Sequence, residues 1–192
     1  MARPIEYDKQ KVLDSITNAF WLKGYEGTSV SELVTETQLN TRTMYNLFND
    51  KTGLFQAALE NYHELYLTDI LNRIKECNGM HDILEFIKSC EHFPLLNGCL
   101  FVNTLSEKNT ISQKSLDYVV NFFNEMTTLL RTKLEDASNV AEYHGNPKAT
   151  ADLIVCFLQG YSNFIKLGND QESHKQMIRQ FVACFNKEEV AA

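Results

Sequence analysis

The apolar positions of this chain recur at helical spacing almost from end to end. Val12, Leu13, Ile16, Ala19 and Phe20 share one face behind Asp8, which can cap a helix start. Gly24 closes that stretch, since glycine readily takes the left-handed turn at the end of a helix. Ser29 opens a second short helix with Val30, Leu33, Val34 and Thr37 on one face, and Glu32 three residues on completes a capping-box pattern. Residues 37–40 are a break. Asn40 then caps a third helix, residues 41–47, with Met44, Leu47 and Phe48 turned inward. A long fourth helix runs from residue 51 or 52 to about 77, with Leu54, Phe55, Ala58, Leu59, Tyr62, Leu65, Tyr66, Ile70 and Ile74 as its stripe, and Asn78-Gly79 ends it. A fifth covers 81–90, with Ile83, Leu84, Ile87 and Cys90 inward. Pro94 lies in a loop, and a short apolar sixth begins at 98–103.

The seventh helix spans 112 to about 140 on Leu116, Val119, Val120, Phe123, Met126, Leu130 and Leu134. Asn146-Pro147, a cap with proline at the first helical position, opens the eighth, which stops at Gly168-Asn169. It is apolar nearly all round, so it has to be covered on more than one side. Gly160 in its middle implies a close backbone approach. A ninth helix covers about 171–186, before a frayed tail, KEEVAA. Strand-like alternation is missing. The predicted fold class is all-α, about nine helices, with a trihelical helix-turn-helix head (residues 1–50) and a larger helical body (51–192).

The third helix carries the chemistry. Arg42 and Asn46 lie one turn apart on the face opposite Met44, flanked by Thr43 and Tyr45. Arg pairs bidentately with guanine and Asn with adenine in the major groove. Hydroxyls suit phosphate oxygens. Lys51 stands at the next helix start, where its charge and free N–H groups both attract phosphate. Thr28, Ser29 and Thr41 extend this candidate DNA-contact set. A solvated face in an ordinary bundle would look much the same over so short a helix.

The order T-S-V-x-E-L, then L-N-T-R-T-M-Y-x-x-F-x-x-K-x-x-L, resembles the DNA-binding head of the TetR family of bacterial transcriptional regulators, over roughly residues 8–60. The upstream A-F-x-x-x-G-Y-x-G-T-S, from Ala19 to Ser29, is similar to that family's first helix and exit turn. G-C-L-x-x-N at 98–103 resembles a segment of a subset of the family. Two positions depart from the usual pattern: Gln38 where the turn often has Gly, and Arg42 where the recognition helix often starts with a small or flexible residue. The resemblance implies a homodimer on a pseudo-palindromic double-stranded DNA operator, with helices eight and nine pairing with their copies. It also implies an unknown small-molecule inducer held in the body. Phe86, Cys99, Phe101, Tyr118, Phe122, Phe123, Met126, Tyr161 and Phe164 are the candidates to line that pocket. Core packing is the competing role for each of them, and completion of a single core is the competing role for the last two helices.

Charge complicates the picture. The 192 residues carry a net −7, and residues 1–60 hold six cations against eight carboxylates. Phosphate contact normally dominates DNA affinity, so the few cations, Arg42, Lys51 and an arm bearing Arg3, have to share one surface. The acidic head keeps an alternative in play: a helical ligand or redox stress sensor acting through protein partners without DNA. No apolar run approaches a membrane span and the start lacks a signal-peptide pattern, so a cytoplasmic protein is expected, with no membrane partner. Five cysteines without C-x-x-C and five scattered histidines give no disulfide framework and no metal-ligand spacing. No catalytic motif is present, so neither an enzyme nor a cofactor is expected. Among the thiols, Cys99 after Gly98 at a helix start is the candidate for a lowered pKa. Cys156, amid Val155, Phe157 and Leu158, and Cys184, beside Phe185, are expected to be buried.

Overall fold

The computed structural model describes residues 7–92, 97–139, 143–168 and 170–186. The arm with Arg3 and Pro4, the Pro94 loop, Asn169 and the tail KEEVAA lie outside them. All regular structure among the described residues is helical: α1 (Lys9–Gly27), α2 (Val30–Thr37), α3 (Thr41–Phe48), α4 (Lys51–Tyr62), α5 (Thr68–Glu76), α6 (Met80–Ser89), α7 (Leu100–Ser106), α8 (Gln113–Asn139), α9 (Pro147–Ile165) and α10 (Gln171–Asn186). A π turn, His63–Leu67, joins α4 to α5 without a break, so the ten segments make nine rods. None of these helices is long and apolar enough to cross a membrane.

Side-chain caps fix the helix starts. Asp8 accepts from the Gln10 and Lys11 N–H groups at 3.1 and 3.3 Å. Ser29 Oγ accepts from the Glu32 N–H while the Glu32 carboxylate accepts from the Ser29 N–H, a closed capping box. Asn40, Asp50 and Asn146 cap α3, α4 and α9 through N–H groups three residues on, at 2.8, 2.8 and 3.0 Å. Such caps are each worth about 1 kcal/mol.

The chain packs as two compact units. One holds Met1–Thr68 and Leu100–Val120. Its core joins Ile16 and Phe20 of α1, Leu33 of α2, Met44 of α3, Leu54, Phe55, Leu59 and Tyr62 of α4, and Phe101 of α7, all nearly or fully buried. Phe20 and Phe55 meet edge to face at 5.0 Å, and Trp21 meets Tyr62 at 5.1 Å. Buried Asn61 donates to Asp14 Oδ1 and Thr17 Oγ1 and accepts from Gln10, which fixes the α1–α4 register. The other unit holds Asp69–Cys99 and Asn121–Ala192. There α6 packs on α10, with Ile83, Ile87, Leu130, Leu134, Ile154, Ile178 and Val182 buried.

Four expectations need correction. The fourth helix is not one α-helix, because the π turn inserts an extra residue. Thr68 donates both its N–H and its hydroxyl to the His63 carbonyl. One added residue rotates the helix beyond it by about 100°. Leu65 is therefore 50% exposed, and Leu67 and Leu71 are buried beside Ile74, which is buried as expected. Leu47 and Val120, expected inward, stand at the edge of their buried faces, 36% and 38% exposed. Cys156 and Cys184 are exposed. Finally, among the described residues nothing outside its own helix backbone lies within 4 Å of where a Gly160 Cβ would stand, so the close backbone approach expected there is not made within this chain.

Candidate nucleic-acid interface

On α3 the division between faces is clear. Met44 and Phe48 are buried, while Thr41, Arg42, Tyr45 and Asn46 are exposed and Thr43 is half-buried. Arg42 and Asn46, four residues apart, stand on the outer face. Among the described residues Arg42 has no carboxylate within ion-pair distance. Its guanidinium is available for a planar, two-acceptor partner.

The turns on either side of α3 are backbone devices. Gln38 adopts φ 58°, ψ 14°, the left-handed conformation that glycine takes at least steric cost. Asn49 adopts φ 69°, ψ −59°, and the Asp50 N–H donates to the Phe48 carbonyl at 2.9 Å. That bond across one residue makes a γ-turn of the rare, strained kind. It brings the Phe48 carbonyl against the first turn of α4. A Cβ on Gly53 would stand 1.8 Å from that oxygen, so only glycine fits. Neither Asn49 nor Gly53 is marked by periodicity; the N-D-K-T-G run only suggests a turn.

Lys51 is half-buried at the start of α4, with its ammonium 4.5 Å from the centroid of the Tyr25 ring. The contact gives the side chain a definite direction. Ser29 is exposed, and its hydroxyl lies within hydrogen-bond distance of Ser31 Oγ and Glu32. Its backbone N–H is the largest cause holding the Glu32 carboxyl below its usual range, ahead of its hydroxyl and Lys23. Lys23 bridges Glu32 at 3.4 Å and Glu36 at 3.8 Å, so two of the eight carboxylates of residues 1–60, both on α2, are paired to it. Thr28 departs from its expected place. It is 1% exposed, and its hydroxyl donates to the Gly24 carbonyl at 2.8 Å. It secures the exit from α1 and is turned away from solvent.

The residues expected to line a body pocket divide between the two units. Phe101 and Tyr118 belong to the first, with ring centroids 5.8 Å apart, and Tyr118 Oη lies 2.8 Å from His63 Nδ1. Burial pushes the Tyr118 hydroxyl pKa up, aided by Glu60 and Glu64. Phe86, Cys99, Phe122, Phe123, Met126, Tyr161 and Phe164 belong to the second. Phe122 and Phe123 meet at 5.3 Å, and Arg73 lies over Phe86. His174 sits against both Tyr161 and Phe164, with its Nε2 buried and without a hydrogen-bond partner among the described residues. No sequence spacing points to that histidine. Tyr161 is pushed up to about 12 by burial. Cys99 is buried, with its N–H donating to Ser162 Oγ at 2.7 Å, and burial lowers the pKa of the nearby Lys166 ammonium. The access that a reactive thiol requires is missing at Cys99 and present at Cys156 and Cys184.

Residues 12–58 match the family model described as bacterial regulatory proteins, tetR family. The HTH-type transcriptional repressor ComR of Escherichia coli (strain K12) is 27% identical over 191 residues, covering 91% of this chain and 87% of its own. An uncharacterized HTH-type transcriptional regulator in the lacX 3' region of Lactococcus lactis subsp. lactis is 22% identical, over 84% and 85% of the two chains. Among solved structures, a cysteine mutant of the TetR family transcriptional regulator CifR, complexed with a 26-base-pair double-stranded operator DNA, superposes with a TM-score of 0.79 at 19% identity. That match covers 96% of this chain and all of the other. The reduced form of NemR from E. coli superposes with a TM-score of 0.74 at 19% identity, over 89% and 93%.

Proposed function

For a chain that belongs to the TetR family of DNA-binding transcriptional regulators, we propose the role of a cytoplasmic, homodimeric repressor that leaves a pseudo-palindromic operator when a small apolar or reactive inducer binds. The observation that carries this reading is the α3 face, with Arg42, Tyr45 and Asn46 exposed opposite buried Met44 and Phe48. Arg42 and Asn46 read base edges. Thr41, Thr43, Tyr45 and Ser29 contact phosphates, as does Lys51. The repressor sign has its support in ComR, a repressor by name. Residues 1–50 act as the DNA-binding part and 51–192 as the ligand-binding and dimerising part.

A second copy is required to present two recognition helices about 34–36 Å apart. The outer side of α9 suits that contact: Leu153 (51% exposed), Cys156, Gly160 and, just past the helix end, Leu167 (71% exposed) recur at three- to seven-residue steps. The open space above Gly160 admits another backbone. In the second unit, Tyr161 and Phe164 offer apolar lining around His174, whose buried Nε2 supplies one polar group, a combination typical of small-molecule sites. The inducer acts by binding one arrangement of the dimer better than the other.

The test is a salt series of duplex titrations, using DNA from upstream of the protein's own gene against random duplex. Arg42→Ala is expected to lose about 1–3 kcal/mol on the cognate duplex and to relax preference at one base position. Lys51→Ala is expected to weaken all duplexes alike and to flatten the salt slope by about one unit. Equal losses on cognate and random DNA for Arg42→Ala would remove that residue from base reading.

A further inference from the structure

The helical path of α1 is interrupted at Gly24, which takes φ 75°, ψ 178°. Past such a break the next N–H groups no longer point at carbonyls one turn back, and they need other acceptors. The acceptor comes from 82 residues further along the chain. Glu107, directly after α7 and in the same compact unit, accepts from the Tyr25 N–H through Oε2 at 2.8 Å and from the Glu26 N–H through Oε1 at 3.0 Å. Its own backbone is held on both sides. The Glu107 N–H donates to the Thr104 carbonyl, and the Glu107 carbonyl accepts from the Thr110 N–H and hydroxyl. A Cβ on Gly24 would meet the carboxylate at 2.9 Å, so the glycine also makes room for it.

What Glu107 anchors is the residue on which Lys51 rests. The Tyr25 ring lies under the Lys51 ammonium at 4.5 Å, its hydroxyl lies 3.3 Å from Thr52 Oγ1, and its ring packs edge to face on Phe55 at 4.9 Å. Tyr25 therefore ties the exit of α1 to the first turn of α4, directly after the γ-turn that ends α3. We propose that Glu107 is a positioning residue for DNA recognition. Its carboxylate fixes the Tyr25 backbone, Tyr25 fixes the direction of Lys51, and Lys51 meets the phosphate. Movement of the segment after α7 thereby reaches the DNA-contacting surface without passing through α3. The inference rests on the proposed phosphate contact of Lys51.

The test uses the full chain and a salt series on a specifically bound duplex, with Glu107→Gln, Lys51→Ala and the double variant. Gln keeps the shape but turns an amide donor toward one of two N–H donors. Glu107→Gln is expected to bind about tenfold more weakly. It should flatten the salt slope by up to about one unit, as Lys51→Ala does, and the double variant should lose little more than either single one. Tyr25→Leu keeps the backbone bonds to Glu107 but removes the ring, so it should reproduce the slope change even where Glu107→Gln folds poorly. If Lys51→Ala leaves the slope untouched, Lys51 is not on phosphate and the underlying contact assignment fails. If Lys51→Ala flattens the slope while Glu107→Gln and Tyr25→Leu keep the wild-type slope, or the double loss is additive, the Glu107 route is overturned and the carboxylate is only a cap.

Discussion

Gly53→Ala isolates the joint between recognition helix and support helix. The added Cβ would stand 1.8 Å from the Phe48 carbonyl oxygen and 3.0 Å from its carbon. Carbon and oxygen do not share that space, so the carbonyl or the first turn of α4 has to withdraw by about 1 Å. The carbonyl is not free to swing, because it accepts the Asp50 N–H across the strained Asn49 turn. The neighbouring Gly53 N–H is likewise held by Asp50 Oδ1. Overpacking of this kind costs about 1–3 kcal/mol. Helix propensity runs the other way, favouring alanine by at most about 1 kcal/mol. The net expectation is destabilisation by about 1–2 kcal/mol, read in thermal or denaturant melts. A loss of operator affinity beyond the change in folded fraction should accompany it, since the end of α3 is what moves. Gly27→Ala is the control. Among the described residues outside its own helix backbone, its Cβ would meet only Lys23 Cβ at 3.4 Å, an ordinary contact, so it should be neutral or stabilising. A Gly53→Ala protein that melts at or above wild type and binds operator normally would refute the tight approach.

Two further perturbations use the same geometry. Gln38→Gly removes a side chain from a left-handed position (φ 58°) that costs L-residues about 1–2 kcal/mol, less the greater chain entropy of glycine. It should raise stability by up to about 1 kcal/mol with operator affinity unchanged, and a lower denaturation midpoint would contradict the turn assignment. Limiting alkylation and mass mapping should find Cys156 and Cys184 ahead of Cys77, Cys90 and Cys99 in protein dilute enough to be monomeric. Cys90, pushed up to about 12 by burial, should stay unmodified even in mildly alkaline buffer, because too little thiolate forms below that value. Protection of Cys156 on raising protein concentration would report the proposed α9 contact, and early modification of Cys99 would contradict its burial.

The contrast between what the sequence discloses and what it hides tracks the range of the interactions. Caps at Asp8, Ser29, Asn40 and Asn146 are legible because donor and acceptor lie two or three residues apart, and the structure closes each of them. The buried stripe of α4 is legible up to Tyr62 for the same reason. Beyond it a π turn adds one residue that no period announces, so Leu65 is exposed and Leu67 and Leu71 are buried instead, while Ile74 is buried as expected. Cys156 is misplaced when its sequence neighbours are read as its surroundings. On a helix, residues one apart point about 100° away from each other, so Val155 can be buried while Cys156 faces out.

The candidate DNA face is visible in the sequence for a related reason: Arg42 and Asn46 are one turn apart on a helix whose inner face is marked by Met44 and Phe48. What orients that face is not. Gly53 looks like an ordinary helix-weakening glycine until the Phe48 carbonyl is placed against it. Glu107 looks like one more solvated carboxylate until α7 is packed against α1. These are contacts of a main-chain group with something distant or tightly turned, and main-chain groups carry no residue type for a pattern to detect. The acidic count of the head shows the same limit. It weighs against DNA when charges are summed, yet Glu32 and Glu36 of α2 are paired to Lys23 of α1, whereas Arg42 on α3 has no such partner among the described residues. The local arrangement of charge at α3 therefore differs from the sum over the head, and it is the local arrangement that a phosphate or a base edge meets.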